Sequence, residues 1–151
     1  MKSEVKITDN RLQITRVFDA PRERVFAAWK RPEQLERWSG CNDSTKMVVT
    51  MDFRVGGSFL QKMTIQGTSE HTITGKYEEI IEPERIVYQV NLGPATARVT
   101  VEFIEQGMQT KLVLTQEGFP DPSICKIVSV GTSESFEKLA EFLASQAASA
   151  D

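Results

Sequence analysis

The chain has one histidine, His71, and two cysteines, Cys41 and Cys125, in 151 residues. A single imidazole with no thiol beside it is a poor metal site, and the two cysteines lack metal-ligand spacing. No bound metal or cofactor is expected, and two reduced thiols fit a reducing compartment. Long apolar runs are also missing, so no segment reads as a bilayer span. The first residues, M-K-S-E-V-K-I-T, alternate polar and apolar and carry no signal-peptide core. These features together predict a cytoplasmic protein. Nor is there a block of charge of one sign: 18 Lys and Arg stand against 21 Asp and Glu, a formal net charge of -3. Nucleic-acid binding normally needs a basic face, so no such partner is expected. G-x-S-x-G, a phosphate-binding loop and HExxH are all absent. No carboxylate pair stands out as a general acid and base.

What is present is alternation. One domain over 1–151 is the size expectation, long enough to bury a core. Leu12, Ile14 and Phe18 share one face of a first strand over 11–18, with Arg16 between them and a short extended arm before the Asp9-Asn10 turn. Pro21 opens a short helix over 21–30, in which Val25, Phe26 and Trp29 form a stripe. Pro32 ends it and opens a second helix over 33–38 with Leu35 and Trp38 inside, stopped by Gly40. Strands follow at 46–53, 58–65, 71–81, 85–92, 98–105 and 109–117. Their turns hold Gly56-Gly57, Gly67-Thr68-Ser69, Glu82-Pro83-Glu84, Gly93-Pro94 and Gln106-Gly107. After the stiff linker Phe119-Pro120-Asp121-Pro122, a long amphipathic helix begins near Ser123, weakened at Gly131 and frayed beyond Ala144. By periodicity alone this is an antiparallel α+β domain.

The run D-A-P-R-E-R-V-F-A-A-W…P-E-Q-L-E-R-W, with D-F-R-V-G-G-S-F after it, resembles the SRPBCC (START-like) superfamily. Within it, the sequence is most similar to the bacterial homologues of the heat-shock-protein-90 ATPase activator. Gly75 to Tyr88, Thr100 to Leu114 and the final helix extend the resemblance from about Leu12 to about Leu143. The resemblance implies the helix-grip fold of birch-pollen-allergen-like proteins. That is a curved antiparallel sheet of six or seven strands, with two short helices after the first strand and the long C-terminal helix packed on the sheet. Arg54 matches the family's arginine before the double glycine, where a salt bridge bracing the turn or an anion contact is implied. Many relatives carry Gly-Trp in the final helix, whereas this chain has Gly131-Thr132. The missing indole either enlarges the space beside the helix or lets the helix approach the sheet.

A sheet wrapped on one helix leaves room for a cavity lined by apolar and aromatic groups. The inward candidates are Trp38, Met47, Val49, Phe59, Gln61, Met63, Tyr88, Val90, Phe103, Leu114, Thr132 and Phe136. They either pack against one another or line that space. Gln61 sits between Phe59 and Met63, and its amide needs backbone, water or a ligand, since an unpaired buried amide costs about 1–3 kcal/mol. The Tyr88 hydroxyl needs a partner too. His71 reads as a rim residue at a strand start. The first functional expectation is a binder of a small apolar or aromatic molecule with no catalysis of its own. The alternatives that the resemblance implies are a partner of a heat-shock-protein-90-type chaperone, and a cyclase- or hydrolase-type enzyme using the cavity. The eukaryotic activator has an additional N-terminal domain, and the resemblance covers only its START-like part. Sheet edges leave monomer or homodimer open.

Overall fold

Asp9-Asn10 is a true hairpin turn, joining β1 (Glu4–Thr8) to β2 (Arg11–Phe18) in antiparallel register, with Asp9 at φ 52. The structure, a computed structural model, describes residues 3–67, 69–92, 95–119 and 122–150. The Gly93-Pro94 turn, Thr68, Pro120-Asp121 of the linker and the terminal Asp151 lie outside the described residues. Alternation places Leu12, Ile14, Arg16 and Phe18 inward on β2, all buried. The two short helices follow as α1 (Arg22–Ala27) and α2 (Pro32–Trp38). The Pro21 carbonyl accepts the Arg24 and Val25 N–H groups at the start of α1, and Pro32 occupies the first turn of α2, where a missing N–H costs nothing. Gly40, at φ 102, takes a conformation that a side chain would resist just beyond α2.

The chain then runs through β3 (Ser44–Met51), β4 (Ser58–Ile65), β5 (Ser69–Ile81), β6 (Arg85–Leu92), β7 (Ala95–Gln106) and β8 (Gln109–Glu117). All pairings are antiparallel, in the order β1-β2-β8-β7-β6-β5-β4-β3. The sheet has eight strands rather than six or seven, and the helices come after the second strand, because the expected arm is β1. Asp52 and Phe53 belong to the turn after β3, not to the strand. There Arg54 Nε bonds Asp52 Oδ2 at 2.6 Å, bracing the turn as a salt bridge.

The last element, α3 (Pro122–Ala150), passes Gly131 without a break and stays helical beyond Ala144. At 29 residues it spans roughly 43 Å. It packs on β1, β2 and α2. Phe136 meets Phe18 edge-on at 5.9 Å, Arg16 Nη1 lies 2.6 Å from Glu137 Oε1, and Arg24 donates to the Leu143 carbonyl at 2.6 Å. β1 and β3 form the sheet edges. At β3 the Val49 N–H is capped by Glu36 Oε2 of α2 at 2.9 Å, which removes a free donor from that edge.

Trp38 shows why α2 holds its place. Its side chain is 3% exposed, its Nε1 donates to the Ala28 carbonyl at 3.0 Å, and its ring lies 4.9 Å from that of Trp29. Trp38→Ala should therefore cost about 3–5 kcal/mol, the range for a large aromatic in a core. Urea unfolding measures it, and a midpoint equal to the parent's would mean that α2 is not held by this indole.

Candidate functional site

The cavity has a wall, a floor and a mouth, each supplied by a different element. The wall comes from Trp29, Leu35 and Trp38, held by the α1–α2 unit, with Trp29 meeting Phe103 edge-on behind it at 6.0 Å. The floor is one cross-strand row. Gln116 of β8 faces Val99, Val99 faces Tyr88, and Tyr88 faces Tyr77 of β5. The Phe59 ring joins this floor, 5.3 Å from Tyr77 and 5.4 Å from Tyr88. It does so by lying over Gly75, where any side chain would collide with the ring. Thr132, Ser135 and Phe136 of α3 close the opposite side. The space measures about 150 Å³ and is partly open to solvent.

The mouth is Ser39-Gly40, and Gly40 is tied to α3 by hydrogen bonds. Ser135 Oγ accepts the Gly40 N–H at 3.0 Å and donates within α3 to the Gly131 carbonyl at 2.9 Å. Lys138 Nζ donates to the Gly40 and Cys41 carbonyls, 2.9 Å each, and Glu134 Oε1 accepts the Asn42 N–H at 3.1 Å. These charged side chains lie outside the lining, which is Trp29, Leu35, Trp38, Ser39, Gly40, Phe59, Gln61, Tyr77, Ile86, Tyr88, Leu114, Gln116, Thr132, Ser135 and Phe136. None of these residues is charged. Burial pushes the Tyr77 phenol well above its ordinary range, and it does the same to Tyr88, with Tyr77 adding to the shift. The Trp29 N–H is buried without a hydrogen-bond partner among the described residues.

Of the residues expected from sequence, the structure brings Trp38, Phe59, Gln61, Tyr88, Leu114, Thr132 and Phe136 to this cavity. Five others lie outside its lining. Phe103 packs behind Trp29 and against Phe26. Val49 is buried beneath α2. Met47 and Met63 face each other across β3 and β4, behind Gly40. Val90 is paired with Gly75 and Ala97, one row beyond the floor. Sequence reasoning missed Trp29, Leu35, Ser39, Gly40, Tyr77, Ile86, Gln116 and Ser135. The signal for two of them was present: Ile86 shares a face with Tyr88 and Val90, and Gln116 continues the alternation through Leu114. His71 is exposed, and Cys41 and Cys125 are free thiols. No group of metal-ligating side chains occurs among the described residues, and no described helix is long and apolar enough to cross a membrane.

Residues 19–144 match the profile of the family described as activator of Hsp90 ATPase homolog 1-like protein. The chain belongs to that family. Comparison with curated proteins finds no match. Among solved structures, a Chromobacterium violaceum protein is 27% identical with a TM-score of 0.80, covering 89% of this chain and 96% of its own. A Rhizobium loti protein is 28% identical at a TM-score of 0.72, over 91% and 98%. A Rhodobacter sphaeroides protein, 20% identical at 0.82 over 95% and 99%, is similar in fold. The Hsp90-activator-like family and the helix-grip fold thus agree, and the sheet, the short helices and α3 of this member are those of an SRPBCC protein.

In this family member the two phenols are the only tyrosines, which makes them spectroscopically separable from the rest of the chain. Their folded-state pKa values are raised, so below the ordinary phenol value of about 10 both states keep the protons and the full stability is present. As pH rises through that value the unfolded chain releases protons that the folded one retains, so stability falls toward the folded-state pKa. Ultraviolet tyrosinate absorbance should show the native protein still protonated where the denatured chain is half ionised. Coincident titrations would place both hydroxyls in bulk water instead.

Proposed function

We propose that this protein is a cytoplasmic binder of a small apolar or aromatic molecule, held between the sheet and α3 of a START-like domain, with no catalysis of its own. The observation that carries the reading is a cavity of about 150 Å³ walled by aromatic rings from both layers and by no charged side chain. Its size sets the scale of the occupant. Drug-sized sites run to roughly 300–1,000 Å³, whereas an apolar cavity of about 150 Å³ engineered in another protein holds benzene. One ring fits here, and a polycyclic lipid does not unless the mouth opens. An enzymatic reading gains less support, because the lining offers no carboxylate or histidine for acid–base work.

Partnership with a heat-shock-protein-90-type chaperone is the second reading, favoured by the description of the matched family. Stimulation of such a chaperone's ATP hydrolysis by the purified protein would put it first. A homodimer would pair through the edge at β1 rather than β3, and native mass spectrometry reports subunit number and any retained ligand together.

Thr132→Trp tests the cavity directly, because the new ring would enter the space beside α3. The parent should broaden the fluorine NMR signal of fluorobenzene at millimolar concentration, and the variant should fold and lose that effect. A parent with no effect, combined with destabilisation of about 1–3 kcal/mol in the variant, is what an already filled core would give. That result would leave the chaperone reading ahead.

A further inference from the structure

The cavity floor is not uniformly apolar. Tyr77 and Tyr88 are direct cross-strand partners on β5 and β6, with ring centroids 6.1 Å apart. Gln116 lies in the same row, and Gln61 of β4 also reaches the space. Tyr77 and Gln116 are 6% and 7% exposed, so what they face is the interior. None of these four side chains has a hydrogen-bond partner among the described residues. Gln61 and Tyr88 are half-buried, and the polar atoms of all four keep some accessible surface, so these groups face the open space, where water or a ligand is their partner.

We infer that the cavity selects an uncharged, single-ring molecule bearing a hydrogen-bond acceptor such as a carbonyl, held by the Tyr77 and Tyr88 hydroxyls. The inference rests on the binding reading above and deepens it. Each part of the class follows from a feature of the site. The volume of about 150 Å³ admits one ring. Trp29, Trp38, Phe59 and Phe136 supply faces and edges for that ring. The lining has no opposite charge to receive an ion, so a carboxylate or an ammonium would shed its water without compensation. A wholly apolar ring would displace water from the phenols and amides and leave them unpaired. An acceptor on the ring removes that penalty. Both phenols are protonated at neutral pH, as an ordinary phenol with a pKa of about 10 is, and so are hydrogen-bond donors.

Three probes of similar size separate these effects: fluorobenzene, 4-fluoroacetophenone and 4-fluorobenzoate, followed by fluorine NMR and by quenching of the two tryptophans, both of which line the cavity. The ketone should bind about tenfold more tightly than either of the others, because a site built around hydrogen bonds rejects an analogue that cannot make them. Tyr88→Phe keeps the ring and removes the hydroxyl. It should weaken the ketone about fivefold and leave fluorobenzene unchanged, and Tyr77→Phe/Tyr88→Phe should bring the two neutral probes level. Fluorobenzene binding as well as the ketone, or fluorobenzoate binding best, would overturn the ligand class while leaving the cavity a binding site. An unchanged preference in the double variant would overturn the role of the phenols. No response to any of the three would overturn the binding reading itself, and this inference with it.

Discussion

The structure depends on where α3 is pinned. The Phe136 ring meets Phe18 edge-on, and Arg16, 6% exposed, reaches from the inner face of β2 to Glu137. Arg16 also lies over the Phe18 ring, 5.4 Å from its centroid, so one side chain covers an aromatic of the core and carries its charge outward. Glu137 is 59% exposed, which lets the pair form without desolvating both ions. The pin acts at the β1–β2 side of the sheet, while the floor of the cavity is built on β4, β5, β6 and β8. A helix fixed at one side of a curved sheet leaves space over the other strands. The cavity is a consequence of that geometry, and small residues of α3 at Thr132 and Ser135 preserve it.

The same constraint explains the work of the two short helices. The connection from β2 must travel to β3, at the far edge of the sheet. It does so as α1 and α2, which carry Trp29, Leu35 and Trp38 to the end of the concave face. The Trp38 bond to the Ala28 carbonyl locks one helix to the other, and Glu36 then caps the edge of β3. One connection thereby closes the core, walls the cavity and protects an edge strand.

Much of this was legible in sequence. Alternation placed β2, β4, β6 and β8 within a residue of their observed spans, and the prolines marked both short helices. β1 was legible only as an extended arm, because Asp9-Asn10 carries no glycine to announce a hairpin and five alternating residues are too few to show that the arm pairs. The site was half legible, for a physical reason. Period-2 patterning says which face a residue occupies but not how far along that face it lies, since that depends on register with neighbouring strands. Phe103, Met47 and Met63 are on the right face and in the wrong rows. Gln116 is in the right row because Val99 separates it from Tyr88, a relation between three strands that no single strand encodes. Trp29 was visible as part of a helical stripe over 21–30, yet α1 ends at Ala27 and the turn that follows it decides whether the ring packs inward or borders a space.

The space is partly open to solvent, and the loop beside its opening is lightly held. Three side chains within five residues of α3, Glu134, Ser135 and Lys138, hold the loop at Gly40, Cys41 and Asn42. A hydrogen bond of this kind contributes a net of about 0.5–1.5 kcal/mol, so four of them amount to roughly 2–6 kcal/mol. That lies within the range of local opening in a folded domain and below the cost of unfolding it. The core behind the loop is held far more strongly, by the burial of Trp38, Phe103 and Phe136 among others. The loop is thus the more weakly held boundary of the space, and the floor the more firmly held one. Tyr77 and Tyr88 are each embedded in a paired strand, independent of the hydrogen bonds that hold the loop.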